Sequence, residues 1–463
     1  MKKLISSLLL TYIKFFAKIA LSVNKPLIIG ITGSAGKTSA RNAIYAILKD
    51  HKRTYMIYKG NSESGVPLGI LGLHTESIGF SSIHTSIKDW FRIVTQAPFR
   101  VFFLKKYRYL IIEMGIDDPY PPRNMSYLLS IVKPHIAVIL NVFPVHAEQF
   151  EKVISPPITD EKITAAIAHE KCKMVTDNPL CKHVIYNGSS EAITQELAHI
   201  HIPSETFGPS QEDALRYAGY TLLLEGTSYT FHLSTKKMTV EIPQCVLPEV
   251  FREVFASALL VGHHIGIDTE TMISSLQKNF VLEPGRNSLF DGIDGTMIID
   301  SSYNAPPDGV RSMLEMAYEL KEKTGRPLAF VMGDMRELGS QAKQQHQELV
   351  PTITDSVDYL YTVGPITYKY IYSGLKSNRR MKDVQAFDGP HEIGQYLKKN
   401  PPKNAIILFK GSQNTIFLEE AIKYILKDSN DSDRLTRQED YWLRKKQFIL
   451  KNNSTKNILN THV

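Results

Sequence analysis

Apolar and polar positions along the chain follow two rhythms. Short apolar runs bounded by turn residues predict buried strands: "PLIIGITG", "YRYLIIEMG", "HIAVILNVFP", "GTMIIDSS", "PLAFVMGD", "DYLYTVG" and "NAIILFKGS". Between them lie stretches of helical period, among them "KTSARNAIYAILKD", "NMSYLLSIV", "PDGVRSMLEMAYELKEK", "SQAKQQHQELV" and "IFLEEAIKYIL". Apolar strands alternating with amphipathic helices predict an α/β protein with doubly wound, mostly parallel sheets. Two such series occur, one before about residue 280 and one after it. Near the end of the first, "TLLLEGTSYTFHLSTKKMTVEIP" alternates with period two and reads as hairpins, and "EPGRN" at 283–287 reads as a hinge. The expected division is an N-terminal helix over 1–25, a central domain over 26–282, a Rossmann-like C-terminal domain over 283–428 and a charged tail over 429–463.

The N-terminal stretch "MKKLISSLLLTYIKFFAKIALSV" starts like a signal peptide. Lys14 and Lys18 interrupt the apolar run, however, and no small-residue cleavage site follows. Ser7, Thr11, Lys14, Lys18 and Ser22 fall on one stripe of an otherwise apolar helix, which argues against an intact membrane span. Two readings stay open: a helix in the membrane interface, giving peripheral contact at the inner face, or a helix packed on its own protein or a partner.

Charge changes the picture only at the ends. Residues 1–26 carry five lysines and no acid, and residues 429–463 carry seven Lys/Arg against four Asp/Glu. With a formal net charge of +7, the body between these ends is near neutral. That balance excludes a nucleic-acid groove and fits an enzyme of small molecules. Three scattered cysteines, Cys172, Cys181 and Cys245, fit reduced thiols in a cytoplasmic protein rather than a disulfide framework.

Chemistry concentrates in "GITGSAGKTS". A strand leads into Gly30, Gly33, Ser34, Ala35 and Gly36, then Lys37, Thr38 and Ser39 open a helix. Glycines let backbone N–H groups turn toward phosphate oxygens, and the helix presents its positive end. Position 31 is Ile, so the strict G-x-x-x-x-G-K-[ST] pattern is not met. A P-loop central domain binding ATP is still expected, with Lys37 on the β/γ-phosphates and the Thr38 hydroxyl on Mg2+. Glu113 ends a buried-type strand, where ligands gather in open α/β sheets, and can share Mg2+ with Thr38. Asn141, His146 and Glu148 follow another strand, and a neutral His146 imidazole can ligate a metal.

Eight stretches in order resemble the Mur ligase family of ATP-dependent amide-forming enzymes. They are "GITGSAGKT", "GNSESGVPLGIL", "LIIEMG", "LNVFPVHAEQF", "EPGR", "IIDSSYNAPPDGVRSML", "VMGDMRELG" and "LFKGS", spread over about residues 26–428. The D-S-x-Y-N-A and G-D-M-x-E-L-G runs resemble the member that adds D-Ala-D-Ala to a UDP-N-acetylmuramoyl-tripeptide in peptidoglycan synthesis. The resemblance implies a ligase whose acid substrate is phosphorylated by ATP and then attacked by the amine. It implies a first Mg2+ on Thr38 and Glu113 and a second on His146. Lys171 matches the family's carbamylated lysine, so catalysis would rest on Lys37, His146 and Lys171. Arg286 and Asp300 match nucleotide-contacting positions, while Asn61, Ser62, Asn304 and Asp334 lie in motifs that line the substrate cleft.

The chain also departs from the family pattern. Only 29 residues precede Gly30, too few for the family member's uridine-nucleotide-binding domain. The H-N-x-x-N run expected near the adenine is replaced by "LPEVFREVFASALL" (247–260), where Arg252 or Glu253 are the polar candidates. Gln413 follows "KGS" where arginine is common. The alternatives are a polyglutamate or folylpolyglutamate synthase-like ligase, a Mur-like ATP-binding subunit needing a partner, and an unrelated P-loop ATPase.

Overall fold

Buried β-branched residues decide the sheets. β1 (Leu27–Thr32) is buried along nearly its whole length and lies inside a nine-stranded sheet. Its neighbours in chain order are β2 (Thr54–Met56), β3 (Tyr109–Glu113), β4 (Ile136–Ile139), β5 (His183–Asn187), β6 (Ser204–Gly208), β7 (Leu215–Leu223), β8 (Gly226–Leu233) and β9 (Lys236–Pro243). The spatial order is β2-β3-β1-β4-β5-β6-β7-β8-β9, parallel from β2 through β7. Two-residue turns join β7 to β8 and β8 to β9, as the period-two pattern predicts. β1 has β3 on one side and β4 on the other, so the chain reverses its direction of winding at β1. This is where ligands settle in open α/β sheets. The computed structural model describes residues 2–58, 60–73, 87–103, 106–144, 147–243, 245–412 and 416–453.

The chain divides into two compact units. The first comprises 1–219, 229–241 and 251–281; the second comprises 220–228, 242–250 and 282–463. In the first unit, α1 (Lys2–Asn24) packs its Ile13, Ala17 and Ala20 stripe into the core shared with Ile28, Leu110 and Ile112. The N-terminal helix therefore lies on its own protein, and the polar stripe of Ser7, Thr11, Lys18 and Ser22 faces out. α2 (Lys37–Leu48) follows the glycine turn, and α3 (Ile87–Phe103) packs beside α1. α4 (Asp160–Thr176) starts at Thr159, whose hydroxyl accepts from the Lys162 amide, and carries Lys171 on its buried side. α5 (Phe251–His264) packs along α2.

The second unit is built on six strands: β10 (Ser288–Asp291), β11 (Met297–Ser301), β12 (Leu328–Gly333), β13 (Tyr359–Val363), β14 (Asp383–Phe387) and β15 (Ile406–Lys410). Their order is β10-β11-β15-β12-β13-β14, with only β10 antiparallel to its neighbour. Alternate residues feed two cores. Ile299, Phe330 and Leu408 enter one, while Ile298, Val331 and Ile407 enter the other. Both faces are thus covered, which is why these strands read as continuous apolar runs. α6 (Pro307–Thr324) begins on proline and ends at Gly325, whose φ of 67° suits the left-handed cap.

Part of the charged tail is buried in the second unit. Arg437 forks onto both oxygens of fully buried Glu419, with Nε and Nη2 each donating at 2.8 Å. Lys446, on α7 (Asp440–Asn453), meets Glu419 at 2.9 Å and Glu420 at 2.6 Å. Charge counted along a sequence looks solvent-facing, but complementary pairs remove one another's need for water. Residues 454–463 lie outside the described residues.

Candidate nucleotide site

The glycine turn closes at Gly36, which sits in the left-handed region (φ 78°, ψ −9°) as the residue before α2. A side chain there would be strained, so glycine is required. The turn leaves the first amides of α2 without helical acceptors at a positive helix end. The segment just after β4 braces the turn. Asn141 accepts from the Ser34 amide through its carbonyl at 2.9 Å and from the Ala35 amide through Oδ1 at 2.8 Å. The Ser34 hydroxyl donates to the Phe143 carbonyl at 3.0 Å.

Two lysine amines converge on this turn. Lys37 Nζ donates to the Gly33 carbonyl at 2.7 Å and to the Ser34 carbonyl at 3.3 Å. Lys171 Nζ, buried on α4, donates to the same Gly33 oxygen at 3.0 Å. Burial, and then the Lys37 charge, drive the Lys171 amine well below the ordinary lysine range. Two amines sharing one carbonyl form a locus that favours an anion.

Glu113, at the end of β3, faces the turn from the other side. Thr38 Oγ1 donates to Glu113 Oε2 at 3.0 Å, and Asn61 Nδ2 donates to Glu113 Oε1 at 3.1 Å. Arg41, one helical turn beyond Thr38, lies 3.8 Å from Glu113 Oε2 and donates to the Ile57 carbonyl at 3.0 Å. Sequence reading passed over Arg41, although its i+3 spacing from Thr38 puts both on one face of α2. A buried hydroxyl and a carboxylate are hard oxygen donors, so this pair fits Mg2+. Ser39 is buried on α2 directly after Thr38, and Ser62 follows Asn61 in the same segment. His146 lies outside the described residues.

The helix replacing the asparagine run also reaches this region. Glu253, on α5, accepts from Asn141 Nδ2 at 2.7 Å and from Asn187 Nδ2 at 3.2 Å. Burial pushes its carboxyl up to about 7, against the pull of those amides and Arg252. Arg252 stacks on the Tyr217 ring at 4.5 Å. Glu253 is thereby linked through Asn141 to the glycine turn, a tie that sequence spacing of over a hundred residues conceals.

In the second unit, three neighbouring strands end in titratable groups. Asp300 (β11) is fully buried. Its Oδ1 accepts from the Ser302 amide at 3.0 Å, and its Oδ2 has no hydrogen-bond partner among the described residues. Burial pushes this carboxyl up to about 6. Lys410 (β15) donates to the Asn304 carbonyl at 2.6 Å and the Ser301 hydroxyl at 3.1 Å. Burial, then Arg286, bring its amine down to about 7. Arg286 stacks on Tyr303 at 4.2 Å. Asn304 Oδ1 accepts from the Ala305 amide at 2.9 Å. Asp334, just past β12, accepts from the Thr367 amide and hydroxyl at 2.8 and 3.0 Å. Gly364 (φ 113°) lies against it, where a Cβ would come within 2.7 Å of the Asp334 carboxyl carbon. Lys410 is the member sequence reading did not single out, though "LFKGS" contains it.

Further along the first unit's sheet, His183 meets Glu205 at 2.8 Å and stacks on His264 at 3.8 Å between ring centroids and 15° between planes. Their donor atoms lie within 4.8 Å of one another. In-plane lone pairs of nearly parallel rings do not converge on one ion, so this trio is a hydrogen-bonded stack rather than a metal centre.

Comparison with known proteins identifies the family. The Mur ligase middle domain model matches residues 31–245, and the Mur ligase, glutamate ligase domain model matches residues 285–413. The UDP-N-acetylmuramoyl-tripeptide--D-alanyl-D-alanine ligases of Rickettsia prowazekii (strain Madrid E) and Bacillus subtilis (strain 168) are 26% and 24% identical to this chain. Those alignments cover 87% and 90% of this chain and 78% and 79% of the relatives. The crystal structure of MurF ligase from Thermotoga maritima in complex with ADP superposes with a TM-score of 0.69 at 20% identity, over 90% of this chain and 83% of that one. That likeness shows a shared fold. With both domain models matching in order around the lysine-bearing turn, the chain belongs to the Mur ligase family.

Proposed function

We propose that this chain is an ATP-dependent amide ligase that joins D-Ala-D-Ala to a UDP-N-acetylmuramoyl-tripeptide in peptidoglycan precursor synthesis. The observation that carries the reading is the convergence of Lys37, Thr38, Glu113 and Lys171 on one glycine turn at the point where the sheet reverses. The curated relatives named above bear that activity in their names and align over most of this chain.

The turn from Gly33 to Ser39 receives the phosphates of ATP on backbone amides, and Lys37 leaves the Gly33 carbonyl to meet the transferring phosphoryl group. Thr38 and Glu113 hold Mg2+, which when bound screens phosphate charge. Asn61 orients the Glu113 carboxylate through Oε1, and Arg41 fixes it from α2. Asn61 and Ser62 border the acid substrate. His146, following "NVFP", supplies the ligand for a second Mg2+. In the second unit, residues 283–428 act as the ligase domain, with Arg286 and Asp300 serving the nucleotide and Asn304 and Asp334 the substrates. The tripeptide carboxylate takes the γ-phosphoryl group from ATP and ADP leaves. The amine of D-Ala-D-Ala then attacks the acyl carbon, and phosphate departs with formation of the amide.

Lys171 carries a carbamate in the working enzyme. Burial lowers its basicity and so favours the uncharged amine, the form whose lone pair attacks CO2. An N–C bond forms, one proton leaves the nitrogen, and the uncharged amine becomes a carbamate anion beside Lys37. The enzyme works in the cytoplasm, with α1 touching the inner face of the membrane.

The test is phosphate release from ATP with Mg2+ and bicarbonate, with the tripeptide and D-Ala-D-Ala each supplied or withheld. Release that needs both supports the ligase. Release independent of either substrate overturns it.

A further inference from the structure

Large apolar side chains stand exposed on α1, beside its polar stripe, and on α3. On α3, Phe91, Phe99 and Phe102 are 72%, 65% and 78% exposed, and on α1, Leu8 and Phe15 are 63% and 59% exposed. At 100° per residue, Phe91, Phe102 and Phe99 span less than a quarter of the circumference of α3, so they make one stripe. The inward stripes are already used. Ile93, Ala97 and Val101 of α3 are buried in the same core as Ile13, Ala17 and Ala20 of α1. The Tyr12 hydroxyl donates to the Val94 carbonyl at 2.7 Å, tying the two helices together. Several exposed rings on two helices in contact exceed the single exposed apolar residues normal on a protein surface and mark an interaction site.

Charge indicates what covers it. Among the side chains described on the two helices, the ionisable ones are Lys14, Lys18, Arg92 and Arg100, with Tyr12, and none is acidic. Lys25, Lys106 and Arg108 stand exposed just beyond the helix ends. Exposed rings with several cations beside them, and Asp89 as the one acid in the sequence of the two helices, fit the interface of an anionic bilayer, where rings sit at headgroup level and cations pair with phosphates. The stretch Ser6–Asn24 is long and apolar enough to cross a membrane, with a mean hydropathy of 1.4. Its buried stripe, however, belongs to the protein core. Lys14 also donates to the Ser130 hydroxyl at 2.6 Å, so α1 is held against the first unit by a polar contact as well as by its buried stripe.

We infer that α1 and α3 form one docking face for an anionic lipid bilayer, with Phe91, Phe99 and Phe102 inserting beside Leu8 and Phe15. This rests on the membrane contact proposed above for α1 and extends it to a second helix and a lipid charge. The face lies outside the residues assigned to chemistry, so docking and turnover separate.

The test is co-sedimentation of the full chain with vesicles of neutral phosphatidylcholine alone or mixed with anionic phosphatidylglycerol. The expected result is binding at least about tenfold tighter to the anionic vesicles, weakened in about 0.5 M salt. The F91S/F99S/F102S variant should lose about tenfold or more of that affinity, and K18E/R92E/R100E should lose the preference for anionic lipid. Both should keep wild-type turnover and circular dichroism. If L8S/F15S loses binding while the α3 variant keeps it, α1 touches the membrane alone and the two-helix face is overturned. If wild type binds neither vesicle, both claims fall. A wild-type dimer that the α3 variant converts to monomer would assign the face to a second copy of the chain and overturn the lipid reading.

Discussion

Replacing Asp300 by asparagine should stabilise the second unit at neutral pH while impairing turnover. Asp300 is fully buried, with one oxygen unpartnered among the described residues, and its carboxyl is raised from its ordinary 3.8 to about 6. The folded state holds the proton more tightly than the unfolded state. Stability from this group is therefore complete below pH 3.8 and is lost as pH rises toward 6. About two units at ~1.4 kcal/mol each put the cost of the ionised form at ~3 kcal/mol above about pH 7. The asparagine side chain keeps an acceptor for the Ser302 amide and carries no charge. Lys410 loses an attractive neighbour in the variant, which returns part of the gain and leaves ~2 kcal/mol net. The assay is urea unfolding between about pH 4 and 8 in a Trp90→Phe background, where Trp442 of the second unit reports. D300N should exceed its parent by ~2 kcal/mol at about pH 8, and by less than ~1 kcal/mol near pH 4. Equal stability at the alkaline end, or a gain independent of pH, would refute the reasoning.

Other substitutions probe other contacts. Glu113→Gln keeps the side chain's size and one acceptor, for the Asn61 amide, but removes the charge proposed to hold Mg2+. Phosphate release should fall at least ~100-fold with nucleotide binding retained, as read by fluorescent ATP-analogue titration. Lys171→Ala should abolish ligation and also a carbamate signal in 13C NMR of wild-type protein equilibrated with 13C-bicarbonate. Arg437→Ala leaves fully buried Glu419 with Lys446 alone and should destabilise the second unit by ~3 kcal/mol in urea unfolding. Glu253→Ala leaves the Asn141 and Asn187 amides without their acceptor and should cost ~1–3 kcal/mol in the first unit, measured the same way.

The strands and the glycine turn were legible because local rules govern them. "LIIGIT" is apolar throughout since both its faces are covered, and Gly36 before Lys37 marks a left-handed residue that must open a helix. Thr38 and Glu113 were legible as a pair because each ends or follows a strand at the switch point. Long-range pairing was not. Glu253 joins Asn141 and Asn187 from an element far along the chain, and only folding shows that a carboxylate occupies that corner. Arg437 and Lys446 gave no signal because a sequence displays charges without their partners. The residues from 87 to 103 gave no strand or motif signal, so the aromatic stripe of α3 emerged only when its inward face was seen to be filled by α1.

The most direct test of the ligase reading follows oxygen through one turnover. UDP-N-acetylmuramoyl-tripeptide labelled with 18O in its terminal carboxylate would be incubated with the chain, ATP, Mg2+, bicarbonate and D-Ala-D-Ala. Reaction through an acyl phosphate predicts one 18O in the released phosphate, together with a product heavier by D-Ala-D-Ala less water. Unlabelled phosphate, or ATP hydrolysis without that product, would contradict it.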